Sequence, residues 1–261
     1  MKALTFYQVD AFASKIFEGN PAAVMKLDAF LPDEVMQNIA MENNLSETAF
    51  VVVGKNSYKL RWFTPSSEVD FCGHATIATA HVLAKEYGLA PPFHFDAQIG
   101  ALSVDYVEGR YVLDAPIALE QPAPLTPAMK EAFPVALTEA FHAGPYLYVV
   151  FENEADIAAL EPDMSKILPL SDFGVAITAR GSEAYDCVSR FFAPEKGINE
   201  DPVTGSAHAA IGPYWAQRLG KSKLTAYQAS ARGGVLHIEV GDTRLNIAGE
   251  AVTYAKGQIF L

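Results

Sequence analysis

The strongest constraint on this chain is that it resembles itself. Arg61-Trp62-Phe63-Thr64-Pro65 returns 129 positions later as Arg190-Phe191-Phe192-Ala193-Pro194. Gly73-His74-Ala75 returns after 132 positions as Gly205-Ser206-Ala207, and Gly100-Ala101-Leu102-Ser103-Val104 returns after 134 as Gly234-Val235-Leu236-His237-Ile238. Three landmarks in one order, drifting by only five positions, point to an internal duplication with two small insertions. The chain is expected to build one structural plan twice.

Each half can be read in the same way. A strand (59–63 and 189–192) runs into a turn containing proline, a glycine follows, and an apolar helix begins. The first helix is expected over 75–87, with Ile77, Val82 and Leu83; the second over 207–219, with Ile211, Tyr214, Trp215 and Leu219. Both are apolar around much of their circumference, as a buried helix must be. Gly88 and Gly220 stand just past their ends, where a left-handed cap suits glycine. A hairpin closes each half, turning at Glu108-Gly109 and at Gly241-Asp242 between alternating apolar positions. Further strands are expected at 4–10, 48–53, 147–151 and 174–179, and a helix over 32–43 with Pro32 in its first turn.

Many short strands around one buried helix, built twice, predict an α+β architecture of two pseudo-symmetric lobes. The first lobe is assigned to 1–117, with a C-terminal strand at about 250–261 returning to it, and the second to 118–249. The proline-rich stretch 116–127 is the expected linker, and the cleft between the lobes the expected ligand site.

Composition narrows the function classes. With 31 acidic against 19 basic residues the net charge is −12, and no basic stripe is present to displace counterions from a nucleic acid. A small anion stays open, because local dipoles can override net charge. Two cysteines, Cys72 and Cys187, are too few for a disulfide scaffold. No run reaches the ~20 apolar residues of a membrane span, and Gln8 and Asp10 interrupt any signal-like segment. The expected location is the cytoplasm.

The two helix starts carry the chemistry. Both open on glycine, which lets a ligand approach the backbone, and the first N–H groups of a helix lack internal partners. Two such starts facing one cleft would hold a carboxylate without any Arg or Lys. The motifs are Phe71-Cys72-Gly73-His74-Ala75-Thr76 and Glu200-Asp201-Pro202-Val203-Thr204-Gly205-Ser206-Ala207. A third is Asn44-Leu45-Ser46-Glu47-Thr48-Ala49-Phe50, whose Glu47 stands at the start of an apolar strand, where partial desolvation suits a carboxylate to proton transfer.

These motifs resemble the phenazine-biosynthesis PhzF-like family, within the diaminopimelate epimerase-like fold. The likeness also takes in Val9-Asp10-Ala11-Phe12 and Gly19-Asn20-Pro21-Ala22-Ala23-Val24, and runs in order from residue 9 to about 212. It implies two lobes, each a curled, mostly antiparallel sheet around a central helix, and an isomerase that needs no cofactor. It implies that Glu47 moves the proton, that His74 and Asp201 take part in catalysis, and that Asn20, Gly73, Gly205 and Ser206 bind substrate. A small carboxylate-bearing metabolite is the implied partner and a homodimer the implied assembly.

Related racemases place a thiol at each helix start. Cys72 matches the first, but aligning Thr204-Gly205-Ser206 with their second motif sets Pro202 in the second place, so a two-base epimerase is not expected. A Cys72-dependent hydrolase is disfavoured too, since residues two apart at a helix start seldom face each other. A non-catalytic carboxylate-binding protein on the same scaffold is the remaining alternative. No metal is expected: His74 and His81 lie about 10.5 Å apart along a helix, and no His-x-x-x-His or Cys-x-x-Cys pair exists.

Overall fold

A computed structural model describes residues 3–55, 57–182 and 184–261. The chain divides into two compact units, Met1–Asp114 with Ala248–Leu261, and Ala115–Ile247.

The first unit contains strands β1 (Ala3–Ala11), β2 (Asn20–Leu27), β3 (Glu47–Val53), β4 (Tyr58–Phe63), β5 (Glu68–Val69), β6 (Phe93–Ala97) and β7 (Gly100–Val107). β8 (Arg110–Pro116) leads out of it. Its helices are α1 (Asp33–Asn43) and α2 (Gly73–Tyr87). The second unit holds β9 (Gln121–Ala123), α3 (Pro127–Ala132), β10 (Leu137–Ala143), β11 (Tyr146–Phe151), α4 (Glu154–Ala159), α5 (Met164–Ile167), β12 (Val175–Arg180), β13 (Cys187–Ala193), β14 (Ile198–Asp201), α6 (Gly205–Leu219), β15 (Lys223–Gln228) and β16 (Gly234–Val240). β17 (Arg244–Gly249) leads back, and β18 (Ala251–Phe260) pairs antiparallel with β1.

The duplication is visible in the pairing itself. In the first unit β1–β2 is antiparallel, β2–β3 parallel, β3–β4 antiparallel, β4–β6 parallel and β6–β7 antiparallel. In the second unit β10–β11, β11–β12, β12–β13, β13–β15 and β15–β16 repeat that series. Each parallel pair needs a crossover. The central helices supply one crossover in each unit: α2 joins β4 to β6, and α6 joins β13 to β15. These helices therefore lie against their sheets, and every residue of α2 from Gly73 to Leu83 is buried.

Two buried polar groups at matching places on the helices are satisfied locally. Thr76 donates its hydroxyl to Cys72 O at 2.6 Å, and at the equivalent place in α6 the His208 Nδ1–H donates to Thr204 O at 2.8 Å. Pro213 inside α6 cannot donate to the carbonyl four residues back; Ala118 N–H takes its place on Ala209 O at 3.1 Å. Gly212 lets α6 approach its sheet closely, since a Cβ there would lie 2.9 Å from Ile238 Cγ2.

An ion pair is duplicated as well. Arg61 grips Glu68 bidentately at 2.7 and 2.6 Å, and Arg190 grips Glu200 at 2.7 and 3.0 Å. Arg190 also donates to Ile157 O and Leu160 O, at the C-terminal end of α4, where a cation complements the helix dipole.

Two expectations need correction. Both central helices begin two residues earlier than the apolar pattern suggests, at Gly73 and Gly205, which places His74 and Ser206 in the first turn. The stretch 116–127 is more than a linker: Gln121–Ala123 pairs with β10, and Pro127 opens α3 behind a Thr126 side-chain cap.

Burial sets the acid sensitivity. His208 is fully buried, and desolvation lowers it to about 4 against the opposing Thr204 hydrogen bond. His81 is lowered to about 4 by burial and then by Lys85. In each case the unfolded imidazole, near 6.5, binds a proton the folded one refuses, so stability falls as pH drops from about 6.5 towards about 4. His208 alone should account for about 3 kcal/mol of that loss. Urea unfolding at pH 7 and pH 4.5 should show the drop, and His208→Gln should reduce it.

Candidate active site

The parallel pairing of β2 with β3 sets Ala22 beside Glu47, and the crossover through α2 brings the first helical turn to the same place. His74 Nε2 lies 3.1 Å from Glu47 Oε2. This is an ionic contact without hydrogen-bond alignment, and Glu47 Oε2 is a buried acceptor with no hydrogen-bond partner among the described residues. On the other ring nitrogen, His74 Nδ1 is 3.2 Å from Asn20 Nδ2 and 3.4 Å from Cys72 Sγ. With Asn20 donating to Nδ1, the ring proton sits on Nε2 and faces Glu47. In the imidazolium form Nδ1 also carries a proton, and the Asn20 amide must then present its oxygen to the ring.

Asn20 is placed by Gly19, whose φ of +65° is left-handed and whose Cβ would collide with Ala11 O at 2.1 Å. Gly19→Ala should therefore disturb both the strand and the Asn20 amide, which a lowered melting temperature and altered His74 side-chain NMR signals would reveal.

Burial disfavours a charged His74, but its acidic neighbours, Cys72 first and then Glu47, outweigh it and hold the imidazole well above its ordinary range. Burial, then the nearby Glu47, pushes the Cys72 thiol up to about 11. That value weighs against a Cys72 nucleophile. The expectation that Cys72 and His74 point apart was nevertheless wrong: Cys72 is the extended N-cap residue, with φ −145° and ψ 111°, and its side chain folds back on the ring.

In the second unit the helix start is built differently. Thr204 Oγ1 donates to Asp201 Oδ2 at 2.5 Å. Gln228 is buried behind them, accepting from Thr204 N–H at 2.8 Å and donating to Asp201 O at 2.7 Å. Tyr146 OH is 3.3 Å from Ser206 Oγ. Asp201 is thus tied to Thr204 and Gln228, and Ser206 to Tyr146, on either side of Gly205 in sequence. Gln228 and Tyr146 were missed by sequence reasoning because they arrive on β15 and β11, far from the motif.

The duplication shows what the second unit lacks. Thr48 pairs with Phe63 and Val175 with Phe192, so Gly174 is the duplicate's counterpart of Glu47. A Cβ on Gly174 would lie 2.4 Å from Phe191 Cζ; the aromatic ring leaves no room for a second carboxylate. The N-cap of α2 is Cys72 and that of α6 is Thr204. Helix register therefore makes Thr204, rather than Pro202, the counterpart of Cys72, and no second thiol stands there.

Glu47, Cys72 and His74 also offer three metal-ligand atoms within 4.8 Å of one another. Residue spacing could not show this, because Glu47 comes from a different strand.

The fold is that of the PhzF proteins and of proline racemase and epimerase structures. A Phenazine biosynthesis-like protein family model matches residues 9–257, and the chain belongs to this PhzC-PhzF family. It is 50% identical over 259 residues to an uncharacterized isomerase of Pseudomonas aeruginosa, covering 99% of each chain. A PhzF-family crystal structure from Enterococcus faecalis is 48% identical, with a TM-score of 0.95 and full coverage of both chains. A hydroxyproline epimerase from Agrobacterium vitis shares the fold at 9% identity, with a TM-score of 0.63 over 98% of this chain and 92% of that one. The relatives' names support an isomerase-type activity. Among the described residues no helix is long and apolar enough to cross a membrane.

Proposed function

We propose that this protein is a cofactor-independent isomerase that shifts a proton on a small carboxylate-bearing substrate, with Glu47 as the acid/base. The observation that carries this reading is the contact of Glu47 Oε2, free of any aligned hydrogen bond, with a buried His74. A free carboxylate lone pair can take a proton from an activated carbon. His74, donating toward the developing negative charge, stabilises it.

The second unit supports a one-base rather than a two-base reaction, since Gly174 and Thr204 stand where a matching carboxylate or thiol would be. In this reading the Gly73 and Gly205 helix starts bind the substrate carboxylate through backbone N–H groups. Asn20 and Ser206 orient it, and Glu47, or Asp201 with His74, returns the proton to a nearby carbon. Cytoplasmic location and a homodimer belong to the same proposal and rest on the family resemblance.

The test is incubation in D2O with a panel of small conjugated and amino carboxylic acids, read by NMR and mass spectrometry. The expected result is product carrying one solvent deuterium at a single carbon. Tight binding with no exchange would favour a carboxylate-binding protein instead.

A further inference from the structure

We propose that Glu47, Cys72 and His74 form an inhibitory binding site for a borderline-soft divalent cation of the Zn2+ type. The binding half of this proposal stands on geometry alone; the inhibitory half rests on the function proposed for Glu47.

The donor set is the kind Zn2+ takes: one thiolate, one imidazole and one carboxylate. Tetrahedral zinc with Zn–S near 2.3 Å and Zn–N near 2.0 Å requires ligand atoms roughly 3.3–3.6 Å apart. Here Nε2 to Oε2 is 3.1 Å, Sγ to Nε2 is 4.0 Å, and all three donors fall within 4.8 Å. Sγ lies nearer to Nδ1, at 3.4 Å, than to Nε2, so Cys72 must turn about χ1 to bring its sulfur round to an ion held on Nε2. Glu47 Oε2 holds no aligned hydrogen bond that a metal would have to break. The Glu47 side chain is 13% exposed, against 5% for His74, so the carboxylate marks the side from which an ion enters.

Charge balances too. With the ion bound, the Cys72 thiol proton leaves, His74 coordinates through Nε2 as the neutral ring with its proton on Nδ1, and one divalent cation faces a carboxylate and a thiolate. The fourth position stays open to water or to a substrate carboxylate. An ion held there occupies the Glu47 lone pair, so proton transfer stops until a chelator removes it.

Cobalt(II) is the probe, because thiolate ligation gives it a near-ultraviolet charge-transfer band and tetrahedral geometry gives it intense visible bands. Wild-type protein should bind one Co2+ per chain with both signatures, displaced by Zn2+. Cys72→Ser should lose the thiolate band and bind about a hundredfold more weakly, and Glu47→Gln should weaken binding with the band kept. Cys187→Ser, which alters the other cysteine in the second unit, should leave the spectrum unchanged. Absence of the thiolate band in wild type, its persistence in Cys72→Ser, or its loss in Cys187→Ser would overturn the proposal. Should Cys72→Ser fail to fold by circular dichroism, Glu47→Gln and Cys187→Ser decide the matter on the same criteria. None of these readouts needs turnover. If Co2+ binds at Cys72 but Glu47→Gln turns over normally, the site stands and the assigned role of Glu47 fails.

Discussion

Glu47→Gln is expected to lower turnover and solvent-deuterium uptake by about a hundredfold to ten-thousandfold, the usual contribution of a positioned acid/base. The substitution keeps the side chain's size and leaves an acceptor toward His74 Nε2, so the fold should survive. What it removes is the lone pair that takes a proton, together with a charge that favours the imidazolium. The pH dependence should change with it. Without the carboxylate, burial of His74 is opposed only by its other neighbours, so the imidazole should titrate at lower pH than in wild type, as NMR of the His74 ring would report. A variant that turned over normally would remove Glu47 from the chemistry.

The largest effect on stability is expected from Arg190→Ala. Arg190 is buried, grips Glu200 with two hydrogen bonds, and caps α4 through Ile157 O and Leu160 O. Truncation strands a partly buried carboxylate and two carbonyls, which should cost about 3–5 kcal/mol. Its duplicate provides an internal control. The Arg61 side chain is 23% exposed and Asp33, one of its two partners, is 75% exposed, so Arg61→Ala should lose clearly less. Paired urea titrations of the two variants measure this; equal losses would contradict the difference in burial.

That one plan is built twice was legible because a duplication conserves landmarks in order; the parallel strand pairs within each copy were not. The glycines Gly73 and Gly205 stood at the helix starts, but the apolar pattern alone began each helix two residues later. The Glu47–His74 contact was not legible in spacing. It joins residues 27 positions apart through a parallel strand pair and a helical crossover, and only the family resemblance put the two residues in one site. Cys72 was misjudged because a helical step was assumed where the N-cap is extended. The segment 116–127 was misjudged because proline density suggested a linker, while Pro122 sits in a three-residue strand opposite Phe141. Pro213 gave no sequence signal of its compensation, since Ala118 is 95 positions away.

The most direct test of the central claim is a crystal structure with a slow or inert carboxylate analogue bound. The account predicts an acidic oxygen of Glu47 about 3–3.5 Å from one substrate carbon, with the analogue's carboxylate on the Gly73 and Gly205 backbone N–H groups. An analogue bound with its carbon chain out of reach of Glu47, or held by neither glycine, would contradict it.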